Sequence, residues 1–145
     1  MKMTTDMEFF HDETKVAYAR IPRDGYNEIL PVKDERFRQS IMYEFYLKHQ
    51  RVLASEITKK VTETLAGKAI FAGKMYPLSL RVASSEGAYW YDLSNARCQS
   101  VKITQEGWSV EDRTPILFRS NAKSIAQVIP KPKGDIKLLF KYVNL

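Results

Sequence analysis

The basic side chains of the last quarter are the first residues in this 145-residue chain whose pattern indicates chemistry. Residues 1–112 hold equal numbers of acidic and basic residues, so the whole formal charge of +6 lies in residues 113–145. Lysines and arginines along such a segment can contact nucleic-acid phosphates without sequence preference. The candidate nucleic-acid-binding residues are Arg113, Arg119, Lys123, Lys131, Lys133, Lys137 and Lys141. A solubilising tail is an equally good interpretation of the same charge.

Three consecutive aromatic residues, Tyr89, Trp90 and Tyr91, are the candidates for stacking on bases. Base–aromatic stacking is tolerant of sequence because every base has a π-face. Side chains alternate between the two faces of a strand, so Trp90 must point opposite to Tyr89 and Tyr91. We therefore expect one set to be buried and the other to lie on an open face, unless a neighbouring element covers both.

Three carboxylates, Asp92, Glu111 and Asp112, lie on or beside predicted strands and could in principle converge on a divalent cation. Acids at strand ends are more often surface residues or turn caps, and no recognisable spacing links these three. A small metal-dependent enzyme is therefore only a remote alternative.

The sequence lacks the residue patterns of a phosphate-binding loop and of a cysteine nucleophile. The pairs Gly67-Lys68 and Gly73-Lys74 have neither the earlier glycine nor the following Ser or Thr of a phosphate-binding loop. Cys98, the single cysteine, has no histidine near it in sequence, so a nucleophile is not indicated. We predict no catalytic residue, no metal and no cofactor.

The totals favour one globular domain, since the chain is long enough to bury a core and is 44% hydrophobic. No apolar run is long enough to cross a bilayer, and the N-terminus has no apolar signal region. We expect a cytoplasmic protein that makes no membrane contact.

Ahead of the aromatic run, the sequence predicts a β-hairpin and two amphipathic helices. Residues 15–21 alternate and are joined to residues 26–32 by Pro22-Arg23-Asp24-Gly25, whose Asp-Gly pair suits a hairpin turn. Asp34 is a good N-cap, and Phe37, Ile41 and Phe45 form one apolar stripe. A second helix is expected from Ser55, with its apolar stripe on Ile57, Val61 and Leu65.

From residue 78 to residue 119, short runs rich in β-branched and aromatic residues alternate with turn-forming clusters, which is typical of an antiparallel meander of about five strands. The hairpin and helices could cover one face of this sheet. The prediction is an α+β fold with a core domain over 1–119 and a basic tail over 120–145. The apolar residues that close the tail should pack back or dock on another element.

Nearly the whole chain resembles a region of replication proteins from phages and integrative elements. That region precedes a P-loop ATPase domain of helicase or primase type. The residues that carry the resemblance are Phe10-His11, Ala17-Tyr18-Ala19, Pro31-Val32, Phe37-Arg38, Leu65-Ala66-Gly67-Lys68-Ala69, Leu80-Arg81-Val82-Ala83, Tyr91-Asp92-Leu93, Val101-Lys102-Ile103-Thr104, Gly107-Trp108, Phe118-Arg119, Pro130, Pro132, Leu139 and Asn144. Cys98 departs from the pattern, which has tryptophan there.

The resemblance implies a non-catalytic accessory domain that acts with an ATPase motor, supplied by a longer protein or by a separate chain. On this view the motor would begin where Leu145 ends, and the tail would be a linker or docking segment. We expect the domain to assist in engaging DNA, single-stranded or duplex. The alternative is a protein-interaction or homo-oligomerisation module that docks a motor domain.

Overall fold

The computed structural model describes residues 7–119 and 124–143, which form seven β-strands, two α-helices and a short 3-10 helix. The α+β fold predicted from the sequence is confirmed. The elements are β1 (Glu8–His11), β2 (Ala17–Pro22), β3 (Asn27–Pro31), α1 (Glu35–His49), α2 (Ser55–Phe71), β4 (Val82–Ser85), β5 (Ala88–Asp92), β6 (Ser100–Thr104), β7 (Gly107–Glu111) and the 3-10 helix (Ile136–Lys141).

The first three strands form an antiparallel sheet in the order β1-β2-β3. The predicted hairpin is its β2–β3 half, and Gly25 takes the positive φ of 84° that the turn requires. Alternation along β2 is as expected, because Ala17, Ala19 and Ile21 are buried together while Tyr18 lies on the opposite face.

Helix α1 begins as the sequence predicts. The Asp34 carboxylate accepts the backbone N–H of Arg36 at 2.8 Å, which satisfies one free donor of the first turn. Phe37 and Ile41 are buried against the first sheet, whereas Phe45 is only half-buried. The end of the predicted stripe therefore runs beyond the edge of the core.

Helix α2 is in the predicted place, but its predicted apolar stripe is only partly correct. Leu65 packs against the core and Val61 is half-buried, whereas Ile57 is 51% exposed, and the fully buried positions are Thr58, Thr62, Ala66 and Ala69. Small residues allow the helix backbone to approach the sheet closely, and both threonine hydroxyls donate to helix carbonyls, so their burial leaves no donor unpaired. The N-cap is Ala54 rather than Ser55.

The face of the first sheet that is turned away from the helices is also covered. Phe10, Tyr18 and Ile29 pack there with Tyr76, Leu78 and Leu117. Backbone hydrogen bonds join His11 to the segment that carries Tyr76, and Ser79 to the segment that carries Leu117. The first sheet is therefore the middle layer of the protein's core.

The second sheet is an antiparallel meander in the order β4-β5-β6-β7. It has four strands where about five were expected, because residues 116–119 form only an isolated parallel bridge between Ser79 and Phe118. Both helices pack on the first sheet and not on the meander, so the expectation that they cover the meander was wrong. Their buried stripes match the alternating apolar residues of β1–β3 instead.

The described part of the tail crosses the edge of the meander and then leaves it. Gln127 donates its backbone N–H to the Leu93 carbonyl at 2.8 Å. The expectation that the last apolar group packs back is not met by the described residues, since Leu138, Leu139, Phe140 and Tyr142 are each at least half exposed. Neither α-helix in the described part is long and apolar enough to cross a membrane.

Candidate nucleic-acid interface

One face of the meander is open and carries a row of large apolar side chains. Tyr89 of β5 pairs with Ile103 of β6, which in turn pairs with Trp108 of β7. These three side chains are 64%, 42% and 44% exposed. Val82 of β4, paired with Tyr91, extends the row and is also exposed. We refer to Val82, Tyr89, Tyr91, Ile103 and Trp108 as the open face.

On the opposite face of the meander, Trp90 is buried, although Ser109 of β7 in the same cross-strand row is exposed. Trp90 is 4% exposed and lies beneath the ammonium of Lys102, which is 5.7 Å from the ring centroid. The predicted alternation of the three aromatic residues is therefore observed. Burial removes Trp90 from the stacking candidates, because no base can reach the face of its ring.

The tail borders the open face at one edge. The Tyr91 hydroxyl donates to the Gln127 side-chain oxygen at 3.1 Å, which holds the tail beside β5. Beyond this contact, Val128 and Pro130 line an apolar groove of about 310 Å³ together with Trp108. The groove is lined by Tyr91, Leu93, Val101, Ile103, Trp108, Val128 and Pro130.

The lysines of the tail follow directly after the groove. Lys131, Lys133, Lys137 and Lys141 are all exposed. None of them forms an ion pair with any residue in ranges 7–119 and 124–143. Lys123 lies outside the described residues. The nearest acid along the tail, Asp135, uses its carboxylate to cap the 3-10 helix at Lys137 N–H.

The two candidate arginines are not in this set. Arg119 donates to the fully buried Asp12 at 2.7 Å, and its guanidinium lies 5.9 Å from the Tyr18 ring centroid. It therefore connects the segment that follows the meander to the first sheet. Arg113 is exposed and donates to the Gly25 carbonyl at 3.4 Å, near the limit for a hydrogen bond. Neither arginine is therefore free in the way that the four lysines of the tail are, and of these lysines Lys131 directly follows Pro130 of the groove in sequence.

A second cavity, of about 400 Å³, lies between the first sheet and the β5–β6 loop. We call it the polar cavity. Its charged lining residues are Glu28, Arg36, Asp92 and Arg119. Glu28 is paired with Arg23 and Arg36 at 2.9 and 2.8 Å. Apolar walls come from Ile29, Ile116 and Phe118.

Cys98 lines the polar cavity, and its surroundings argue against a nucleophile. Burial and the nearby carboxylates of Glu28 and Asp92 raise the pKa of the Cys98 thiol to about 11, against the opposing effect of Arg36 and Arg23. At pH 7 only roughly one thiol in ten thousand would be ionised, and the thiolate is the reactive form. Neither histidine lies in the lining of this cavity.

The three carboxylates considered for a metal make separate local hydrogen bonds and do not converge. Asp92 accepts from Ser94, Glu111 accepts from Ser109, and Asp112 accepts from Arg97 and Gln99. In the part of the chain that the structure describes, no group of three His, Cys, Asp or Glu side chains is arranged to hold a metal ion.

Sequence reasoning missed the open-face roles of Trp108, Ile103 and Val82. Alternation could have indicated Trp108, since it is the residue of β7 that shares a face with Tyr89 once the strand register is known. The register, however, depends on turn lengths that a single sequence leaves open. Comparison with protein-family models, curated proteins and solved structures finds no match to this chain.

Proposed function

We propose that this chain is a non-catalytic accessory module of a phage or mobile-element replication ATPase and that it engages single-stranded nucleic acid. The observation that carries the proposal is the open face with its exposed Tyr89 and Trp108, beside which run Val128 and Pro130, the tail residues that lead into the lysines. Aromatic side chains on a sheet provide stacking, and unpaired lysines provide phosphate contacts, which together are the elements of sequence-tolerant single-strand binding.

The open face supports single strands over duplex. Tyr89 and Trp108 are exposed on the same face, with Ile103 between them. Bases in a duplex are already stacked on one another, so only unpaired bases can gain from such a surface. Each stacked base is worth about 1–3 kcal/mol by alanine substitution.

The tail supplies the electrostatic part of the proposal. The four described lysines have no acidic partner among the residues in view and are therefore available to phosphates. Four phosphate contacts on a single strand should give a slope of about −3 in a plot of log affinity against log salt. The resemblance to replication proteins supports the choice of nucleic acid as the ligand and of an ATPase as the partner.

The test is fluorescence anisotropy with a fluorescein-labelled oligothymidylate at two salt concentrations. Replacing Lys131, Lys133, Lys137 and Lys141 by Gln should weaken binding and flatten the salt slope. Replacing Lys48, Lys59, Lys60 and Lys74, which are exposed elsewhere, removes the same charge and should have a smaller effect. Tyr89→Ala and Trp108→Ala should each weaken binding roughly fivefold or more without changing the slope. Absence of binding by the wild type at low salt would overturn the proposal.

A second candidate function is protein docking or self-association, which the apolar groove favours. Its lining is aliphatic and aromatic, and exposed apolar surface of this kind marks interaction sites. Sedimentation equilibrium discriminates the two functions. Self-association through the groove should be weakened by Trp108→Ser and insensitive to salt, whereas binding to phosphates must weaken as salt rises.

A further inference from the structure

The polar cavity contains a buried carboxylate, that of Asp92, beside which Arg81 donates to the Asp92 backbone carbonyl at 3.3 Å and to the Ser94 hydroxyl at 3.1 Å. Asp92 is 8% exposed, and within residues 7–119 and 124–143 its two carboxylate oxygens accept only from Ser94: the backbone N–H at 3.1 Å and the hydroxyl at 2.5 Å. No lysine or arginine forms an ion pair with it among the described residues. A carboxylate offers about four acceptor sites, so one on each oxygen is unused.

Donors with unused capacity line the same cavity. The Arg119 guanidinium has one described acceptor, the carboxylate of Asp12. Arg36 donates to Glu28 through one of its nitrogens only. The cavity therefore offers a free acceptor pair and free donors, between walls formed by Ile29, Ile116 and Phe118.

We propose that the polar cavity receives a guanine base. Guanine is the only one of the common bases whose Watson–Crick edge presents two adjacent donors, N1–H and the 2-amino group, which match the two free acceptor sites of Asp92. Its O6 and N7 are acceptors that arginine recognises. On the Watson–Crick edges of the other common bases, an acceptor lies next to each donor. That acceptor would face the carboxylate and be repelled by it. A planar base also suits an apolar wall that includes an aromatic ring.

The charged lining of the polar cavity is balanced, because two acids, Glu28 and Asp92, are accompanied by two arginines, Arg36 and Arg119. A neutral base that carries both donors and acceptors can use groups of both signs, whereas a phosphate offers acceptors only. In a strand, the phosphates would have to remain outside the cavity.

This inference rests on the proposed function if the guanine belongs to a strand, and the experiment separates that source from a free nucleotide. Anisotropy is measured with a fluorescein-labelled 15-mer of thymidylate, and with the same oligomer carrying guanine, hypoxanthine, adenine or cytosine at its centre. Guanosine monophosphate is titrated separately by calorimetry. Hypoxanthine keeps N1–H but lacks the 2-amino group, so it tests one of the two contacts.

The expected result is an affinity for the guanine oligomer about tenfold above that for thymidylate alone, with hypoxanthine in between. Asp92→Asn should abolish the guanine preference and leave the affinity for thymidylate unchanged, because its side-chain oxygen can still accept from Ser94 N–H. Asp112→Asn, a carboxylate outside the cavity, should keep the preference. If Asp92→Asn does not fold, the base series on the wild type decides alone.

The failures are distinguishable. Thymidylate binding without a guanine preference would overturn the base cavity and leave the proposed function intact. Binding of guanosine monophosphate without thymidylate binding would assign the cavity to a free nucleotide and overturn strand binding. Binding of neither would overturn both.

Alkylation of Cys98 at high pH, followed by mass spectrometry, locates the ligand. Bound guanosine monophosphate should slow the alkylation, and an unchanged rate of alkylation would place the ligand elsewhere.

Discussion

The two sheets of this protein differ in what covers them. The three-stranded sheet is covered on one face by both helices and on the other by residues 76–78 and Leu117. The four-stranded meander buries Trp90 on one face and leaves Tyr89, Ile103 and Trp108 accessible on the other. A fully covered sheet contributes mainly to stability. An open apolar face is unfavourable in free energy because it is exposed to water, and a ligand or partner that covers it removes that cost.

The difference predicts that core substitutions and open-face substitutions separate stability from binding. Phe37 is fully buried against the first sheet, with its ring edge-on to Phe9 at 6.3 Å. Phe37→Ala should lower the free energy of unfolding by about 3–5 kcal/mol. Trp108→Ala removes a larger side chain but should cost much less, since that side chain is 44% exposed. Urea unfolding of both variants makes the comparison, and equal losses would contradict it.

The ion pair between Asp12 and Arg119 links the first sheet to the segment that follows the meander. Its removal should have the next largest effect on stability. Asp12 is fully buried and accepts from Thr14, Val16 and Arg119. Burial alone would raise the pKa of the Asp12 carboxyl, but these hydrogen bonds and the arginine outweigh it and hold the pKa below its usual value. Asp12→Asn should therefore cost roughly 2–4 kcal/mol at neutral pH.

The sign of the pH dependence follows from the lowered pKa. Asp12 stabilises the fold above about pH 4, and this contribution is lost as the pH falls through the folded-state pKa. Wild-type stability should thus fall more steeply between pH 5 and pH 2 than that of Asp12→Asn. Asp112→Asn, which breaks a surface pair with Arg97, should retain the wild-type slope. Parallel curves for wild type and Asp12→Asn would refute this role.

Substitutions of two glycines test the close packing around the first sheet, and their expected effects on stability are the smallest. A Cβ on Gly73 would clash with the backbone carbonyls of Ala69 and Phe9, the latter at 2.8 Å, so Gly73→Ala should cost about 1–3 kcal/mol. Gly67 lies within α2 with open space around it, and Gly67→Ala should stabilise by about 0.5–1 kcal/mol. Thermal unfolding should shift in opposite directions, and shifts of the same sign would contradict the packing described.

The sequence predicted the elements well because their signals are local. The alternation of residues 15–21, the Asp34 cap and the turn-separated strands of the meander all depend on neighbouring residues. The buried stripe of α2 was not predictable in the same way. Its buried positions hold small residues rather than larger apolar ones, because the helix lies close to the sheet, and that closeness is a property of the tertiary packing. These residues are Thr58, Thr62, Ala66 and Ala69.

The candidate site was predicted only in part for the same reason. Charge indicated the lysine tail, and alternation correctly opposed Trp90 to its two neighbours. That Trp108 joins Tyr89 on the open face depends on strand register, and that Arg119 is held by Asp12 depends on residues far apart in sequence. The polar cavity is assembled from segments around residues 28, 36, 92 and 119, which no local pattern connects.

The most direct test of the difference between the two faces uses the only two tryptophans in the chain. Their indole N–H signals in a proton–nitrogen correlation spectrum, assigned with Trp108→Phe, report one on each face of the meander. On titration with oligothymidylate, the signal of Trp108 should shift progressively while that of the buried Trp90 stays in place. A shift of Trp90 alone, or no shift of either signal at saturating oligonucleotide, would contradict the account.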